Sequence, residues 1–322
     1  MADSIEGSKS GGFRGIFTIP STPFTADGAV DVAAFRRIVE FCVECGAHGL
    51  VYPVNASEFT SLSDSERMKL SEVLVEQNAG RLPTMIGVAG VTREVAEQFA
   101  TRAGRIGADS VIAMPPYLVR GELSEQLIFE YYRGIADAGG LPVCIQNYVP
   151  PIGTNLSAEF MLRLCREIPL VEYIKEETVP STIKLTQIVQ GNDGSCKGVF
   201  GGAGGRYLIE EYRRGSAGNM PGCHVTDVVV AFWQALESGD ESAAIRIYKE
   251  LSPLFFYEHQ IPGCYKEVLK RRGVIEYAFK RNGQSAIDEI GSRYLDDVLD
   301  ALRPLMRWWT NPASRKPEAV GR

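Results

Sequence analysis

Histidine is scarce in this chain. Among 322 residues only His48, His224 and His259 occur. None stands at metal-ligand spacing, which speaks against a metal centre. Basic residues are outnumbered, 34 against 40, giving a net charge of −6. A nucleic-acid groove or an anionic membrane surface calls for the opposite balance. No run is apolar for long enough to span a bilayer, and the opening "MADSIEGSKSGG" lacks the apolar core of a secretion signal. That stretch (1–12) and "NPASRKPEAVGR" (311–322) read as flexible tails. Seven scattered cysteines, an odd number, fit reduced thiols in a cytoplasmic protein. The one CxxC, Cys42 to Cys45, lies in a helical pattern that puts both thiols on one face. Packing explains it better than redox or zinc chemistry, since no second pair completes a site. The basic runs Arg213-Arg214 and Lys270-Arg271-Arg272 fall near expected helix C-termini, where the dipole favours a cation.

Eight apolar runs remain, alternating with amphipathic segments at intervals of roughly thirty residues. They are "GIFTIPSTPF" (15–24), "GLVYPVNASEF" (49–59), "PTMIGVAG" (83–90), "SVIAMPPY" (110–117), "PVCIQNY" (142–148), "VEYIKEET" (171–178), "KGVFGGAGG" (197–205) and "GSAGNMPG" (215–222). Eight repeats exceed the needs of an open doubly wound sheet and predict an α/β fold, a closed (β/α)8 barrel over residues 13–225. Residues 226–310 read as a helical extension packed on it. The runs are polarised: their first halves are apolar, while Thr22, Asn55, Glu58, Tyr117, Asn147 and Lys175 crowd their ends. Barrel enzymes carry their chemistry at the C-terminal strand ends, so a site is expected there.

Within "VEYIKEET", alternation puts Val171, Tyr173 and Lys175 on one face and Glu172, Ile174 and Glu176 on the other. If the first face is the barrel interior, desolvation disfavours the ammonium form of Lys175 and leaves an amine able to form an imine with a ketone. A solvated strand-end lysine is the competing reading.

"GIFTIPSTPF", "NASEFTSLSDSER", "GADSVIAMPPY" and "YIKEE", in that order, resemble the dihydrodipicolinate synthase and N-acetylneuraminate lyase family of class I aldolases, from about residue 13 to 305. The resemblance implies that Lys175 forms a Schiff base with a 2-keto acid, with no cofactor beyond that imine, and that the chain assembles as a homo-oligomer, a tetramer in the family. Where the family reads G-T-T-G-E, this chain has Val54-Asn55-Ala56-Ser57-Glu58. Asn55, Ala56 and Ser57 are then carboxylate-binding candidates, with a turn role as the alternative for Asn55. Glu58 reads as a residue that holds this loop by accepting backbone or hydroxyl hydrogen bonds. Tyr117 matches a family tyrosine near the site or a subunit contact, with ring packing as the competing explanation.

Strand five departs most. The family reads L-Y-N-V-P-G-R; here Gln146 replaces the proton-carrying tyrosine and Pro151 the arginine. Glutamine cannot relay a proton as a phenol does, so Tyr117 and Tyr148 become candidates for that task and Gln146 a substrate-binding one. The lost arginine argues against dihydrodipicolinate synthesis itself. The glutamine, the strand-two asparagine and "VLKRRGVI" resemble the 2-keto-3-deoxy sugar acid dehydratases, 2-keto-3-deoxyarabonate dehydratase being the nearest group. Gly201 and Gly202 stand where acidic residues are expected, leaving space or offering N–H groups to the substrate's far end. Arg206 reads equally as a second anion site or as a helix-capping cation. The implied activity is a lyase acting on a 2-keto-3-deoxy sugar acid. A pyruvate aldolase, a condensing enzyme and a non-catalytic keto-acid-binding barrel are the alternatives.

Overall fold

A computed structural model describes residues 12–117, 123–149, 153–261, 264–283 and 287–309. Residues 1–11 of the expected tail 1–12, the whole expected tail 311–322, and Pro151 lie outside the described residues. Eight parallel strands close into a barrel in the order β1 to β8. They are β1 (Gly15–Thr18), β2 (Gly49–Tyr52), β3 (Thr84–Gly87), β4 (Ser110–Ala113), β5 (Val143–Asn147), β6 (Val171–Glu176), β7 (Gly198–Gly201) and β8 (Gly218–Asn219). Between them run α1 (Val32–Glu44), α2 (Asp64–Asn78), α3 (Arg93–Arg105), α4 (Glu125–Gly139), α5 (Ala158–Glu167), α6 (Ser181–Gly191) and α7 (Leu208–Arg213). After β8 come α8 (Thr226–Glu237), α9 (Glu241–Gln260), α10 (Tyr265–Arg271) and α11 (Glu289–Leu302). Local signals set the helix starts: Ser63 caps α2 in a reciprocal pair with Glu66, and Asp31, Thr92, Ser124 and Ser157 cap α1, α3, α4 and α5.

Alternation along the strands sorts two apolar layers. Phe17, Val51, Met85, Ile112, Cys144, Tyr173 and Phe200 fill the barrel interior. Leu50, Ile86, Val111, Ile145 and Ile174 pack outward against the helices. All seven cysteines are buried free thiols, among them Cys42 and Cys45 in the outer layer.

Strand β6 corrects the alternation drawn from its sequence. Val143 pairs with Val171, but Cys144 pairs with Tyr173, so Glu172 is an extra residue at a bulge. Val171 therefore belongs to the outer layer rather than sharing the interior face with Tyr173 and Lys175.

Helix α8 packs on β1: Ile16 joins Val228, Val229 and Phe232 in one cluster, and Thr18 Oγ1 meets Thr226 Oγ1 at 2.8 Å. It occupies the place of an eighth barrel helix, so a boundary at residue 225 falls between β8 and the helix that covers it. Helix α9 packs on α8, α11 packs on α9, and α10 packs on the turn that precedes α8; all contribute apolar residues to that cluster. Arg272, just past α10, is fully buried and grips Asp227 of α8 through two bonds of 3.0 and 2.6 Å. It is thus more than a cation at a helix end. The segment after α10 also returns to the barrel mouth, where Arg281 pairs with Glu66 at 2.7 Å and donates to Gly28 O.

Candidate active site

The interior strand faces end, at the C-terminal mouth, in a small polar cluster. Lys175 is the last inward residue of β6 and pairs across the sheet with Gln146 of β5 and Phe200 of β7. One step further along the same alternation, Glu177 turns back over it. Lys175 Nζ lies 3.0 Å from Glu177 Oε2, with the two side chains 3% and 9% exposed. Gln146 Nε2 donates to the same oxygen at 2.7 Å. The sequence reading gives Lys175 apolar walls and a free amine; the wall instead supplies a carboxylate within hydrogen-bond reach of its Nζ.

The outward neighbours hold this cluster in place. Glu176 accepts from Asn147 Nδ2 at 2.7 Å and from Thr178 N at 2.7 Å, and burial raises its carboxyl above the usual range. Asn147 in turn accepts from Leu156 N at 2.8 Å.

Strand seven approaches through glycines. A Cβ on Gly202 would stand 2.2 Å from Glu177 Oε1, and Ala203 N donates to that oxygen at 3.4 Å. The space beside Gly202 is therefore filled by Glu177. The space beside Gly201 is filled by Glu211 of α7, whose Oε2 lies 2.0 Å from where a Cβ would stand. Glu211 accepts from Asn219 Nδ2 at 2.8 Å, and burial pushes its carboxyl up to about 8. Glu211 Oε1 and Asn219 Oδ1 have no hydrogen-bond partner among the described residues.

Residues Asn55–Ser57 form a 3-10 turn after β2, ended by Glu58 in the left-handed region at φ 60°. The first amides of such a turn, those of Asn55 and Ala56, have no partner within it. Ala56 packs against the interior cluster, and Ser57 Oγ is buried without a hydrogen-bond partner among the described residues. Asn55 Nδ2 points to Met114 Sδ at 3.7 Å. The turn is tied down by Thr22 Oγ1, which donates to Ser57 O at 2.6 Å and meets Tyr52 Oη at 2.9 Å. Glu58 holds the loop by an ion pair with buried Lys266 of α10, not by backbone or hydroxyl donors as its sequence context leads one to expect. Desolvation lowers the Lys266 amine to about 8 despite that partner.

The two candidate tyrosines separate. Tyr117 packs edge-on against Phe59, with centroids 5.4 Å apart. Burial raises its phenol, an effect the Arg67 guanidinium opposes. These neighbours belong to the outer layer. Tyr148 packs against the same layer but has other charged neighbours: burial raises its phenol, Glu177 adds to the rise and Arg206 opposes it. Lys175, Gln146 and Gly202 therefore converge on Glu177, whereas both tyrosine rings pack against the outer layer. Glu177 and Glu211 were absent from the candidates drawn from sequence. For Glu177 the signal was present, because the alternation through Tyr173 and Lys175 continues to it. For Glu211, on a six-residue helix, no pattern pointed inward.

A closed (β/α)8 barrel with a buried lysine, carboxylate and amide at its C-terminal mouth has the architecture of an enzyme. The model of the Dihydrodipicolinate synthetase family matches residues 12–301, and the chain belongs to that family. Like the family's named members, it is a lyase. It is 30% identical over 301 residues to the L-2-keto-3-deoxyarabonate dehydratase of Azospirillum brasilense, covering 92% of this chain and 97% of that protein. A protein of Escherichia coli named "Probable 2-dehydro-3-deoxy-D-pentonate aldolase" is 32% identical over 177 residues, 55% of this chain and 58% of that one. The solved dihydrodipicolinate synthase of Aquifex aeolicus superposes with a TM-score of 0.82 at 23% identity, over 92% of this chain and all of that one. Identity that low speaks for the fold alone.

Proposed function

We propose that this lyase dehydrates a 2-keto-3-deoxy sugar acid through a Schiff base on Lys175, without an added cofactor. The observation that carries the reading is the buried Lys175–Glu177 pair, with Gln146 on the same carboxylate oxygen. Glu177 takes the ammonium proton, and the freed amine attacks the C2 ketone. Loss of that oxygen as water gives the iminium, an electron sink that acidifies C3. A base removes the C3 proton to form the enamine, whose electrons expel the C4 hydroxyl as it gains a proton. Water then hydrolyses the unsaturated iminium and regenerates Lys175. Glu177 is the proton carrier we assign, poised by Gln146 where the family has tyrosine. Tyr148, close enough for Glu177 to act on its ionisation, is the candidate second carrier. The strand-two turn, with the Asn55 and Ala56 amides and Ser57 Oγ, is suited to the substrate's C1 carboxylate.

Similarity to the arabonate dehydratase over nearly both full lengths favours dehydration. The similarity to the pentonate aldolase motivates the second reading, in which the C3–C4 bond breaks from the same iminium. Product analysis of the purified protein with 2-keto-3-deoxy-L-arabonate separates them. A five-carbon dehydrated keto acid is expected; pyruvate with glycolaldehyde establishes the aldolase instead, and no conversion of any 2-keto-3-deoxy acid defeats both. By family resemblance the working form is a cytoplasmic homotetramer, which sedimentation velocity tests.

A further inference from the structure

Arg206 closes the loop that follows β7, and its guanidinium is left without a hydrogen bond or ion pair among the described residues. Its Nε is buried and has no partner. Its backbone N–H bonds Ala203 O at 3.4 Å, while the N–H of Ala203 reaches Glu177 at the loop's other end. Three of the four residues before it, Gly202, Gly204 and Gly205, have no side chain. Arg206 is thus the first charged group along this loop beyond the catalytic carboxylate. It lines a cavity of about 270 Å³ beside α9, together with Tyr207, Tyr248, Phe255, Phe256 and His259. No carboxylate lines that cavity among the described residues. The guanidinium also opposes the burial-driven rise of the Tyr148 and Tyr265 phenols.

Arg206 ends the 3-10 turn Ala203–Gly205 through its backbone N–H, and a role at the next helix does not account for its side chain. The next helix, α7, begins at Leu208, and a cation just before a helix start gains nothing from the dipole. A half-buried guanidinium with open donors matches a planar carboxylate in a forked, charge-assisted pair. We propose that Arg206 receives a second carboxylate at the far end of the substrate, so that the enzyme acts on a 2-keto diacid. This rests on the Schiff-base reading above and narrows the substrate within it: the simple pentonate ends in a neutral hydroxymethyl group, the diacid in an anion.

The test compares keto acids of equal length that differ only in that end. Adduct formation on Lys175 is followed by borohydride trapping and intact mass, as a function of concentration, for 2-ketoglutarate against 2-ketovalerate. The six-carbon pair 2-ketoadipate and 2-ketohexanoate is run alongside. In the wild type, half-saturation is expected at least about ten-fold lower for the diacid of one or both pairs, about 1.4 kcal/mol. In Arg206→Gln that ratio collapses towards one because the diacid loses its partner. Adducts with no diacid preference in either pair overturn the assignment while leaving the Schiff base standing. So does a variant that weakens both acids equally and keeps the ratio. No adduct with any of the four, nor with pyruvate, overturns the Schiff-base reading and this one with it.

Discussion

Lys175 Nζ stands 3.0 Å from Glu177 Oε2, both side chains almost wholly out of solvent. A buried ion pair is poor value for stability, since desolvation offsets most of its attraction. Its retention at a barrel mouth therefore points to chemistry. The double variant Lys175→Met/Glu177→Gln is expected to melt within a few degrees of the wild type while turnover is abolished. Calorimetry and an activity assay check this. A fall of about 10 °C, several kcal/mol for a chain of this size, would mark the pair as structural.

Glu177 and Lys175 do different work, so their single variants should separate. Glu177→Gln keeps the amine and is expected to retain a reducible adduct while kcat falls by about 10²–10⁴, the usual worth of general acid–base help. Tyr117→Phe, whose ring packs on Phe59, is expected to change kcat less than about three-fold, since the mechanism assigns it no proton transfer. Steady-state kinetics of both variants decide. A collapse in Tyr117→Phe with near-normal Glu177→Gln would exchange their roles.

Two adjacent glycines should fail in different ways. Gly202→Ala drives a methyl to 2.2 Å from Glu177 Oε1, so turnover should drop by at least about ten-fold as the carboxylate shifts from a near-attack position. Gly201→Ala meets the buried Glu211 carboxyl at 2.0 Å and should chiefly destabilise, by about 1–3 kcal/mol as overpacking does. Urea unfolding and kcat, measured on both, show whether the effects sort this way or fall together.

Glu211 gives a pH dependence with a definite sign. Its folded-state carboxyl is held up to about 8 by burial, so between about pH 4.5 and 8 the folded chain keeps a proton that the unfolded chain releases. Its contribution is full below that window and is lost as pH rises through it, each pH unit counting for about 1.4 kcal/mol. Glu211→Gln, which imitates the neutral acid, should flatten the fall in melting temperature between pH 5 and 9. An unchanged slope would place the titration elsewhere.

The eight-strand repeat and the polarity of its strand ends were legible because hydrophobic period and strand-end chemistry are written locally. The capping box at Ser63 and Glu66 is equally local, its two residues three apart in the chain. Three features depended on distant contacts. The bulge at Glu172 reverses the facing of Val171 and follows from the pairing of β5 with β6. Glu58 found Lys266 across more than two hundred residues, and Arg272 found Asp227 inside the core. No spacing rule reaches so far. Glu177 lay within reach of the alternation argument, which was drawn only as far as Glu176.

Borohydride trapping with 2-keto-3-deoxy-L-arabonate, followed by intact mass and peptide mapping, tests the central claim most directly. The account predicts one reducible adduct per chain, on Lys175, with the mass of a five-carbon species at or beyond dehydration, and none in Lys175→Ala. An adduct on another lysine, or turnover that persists in Lys175→Ala, would contradict it.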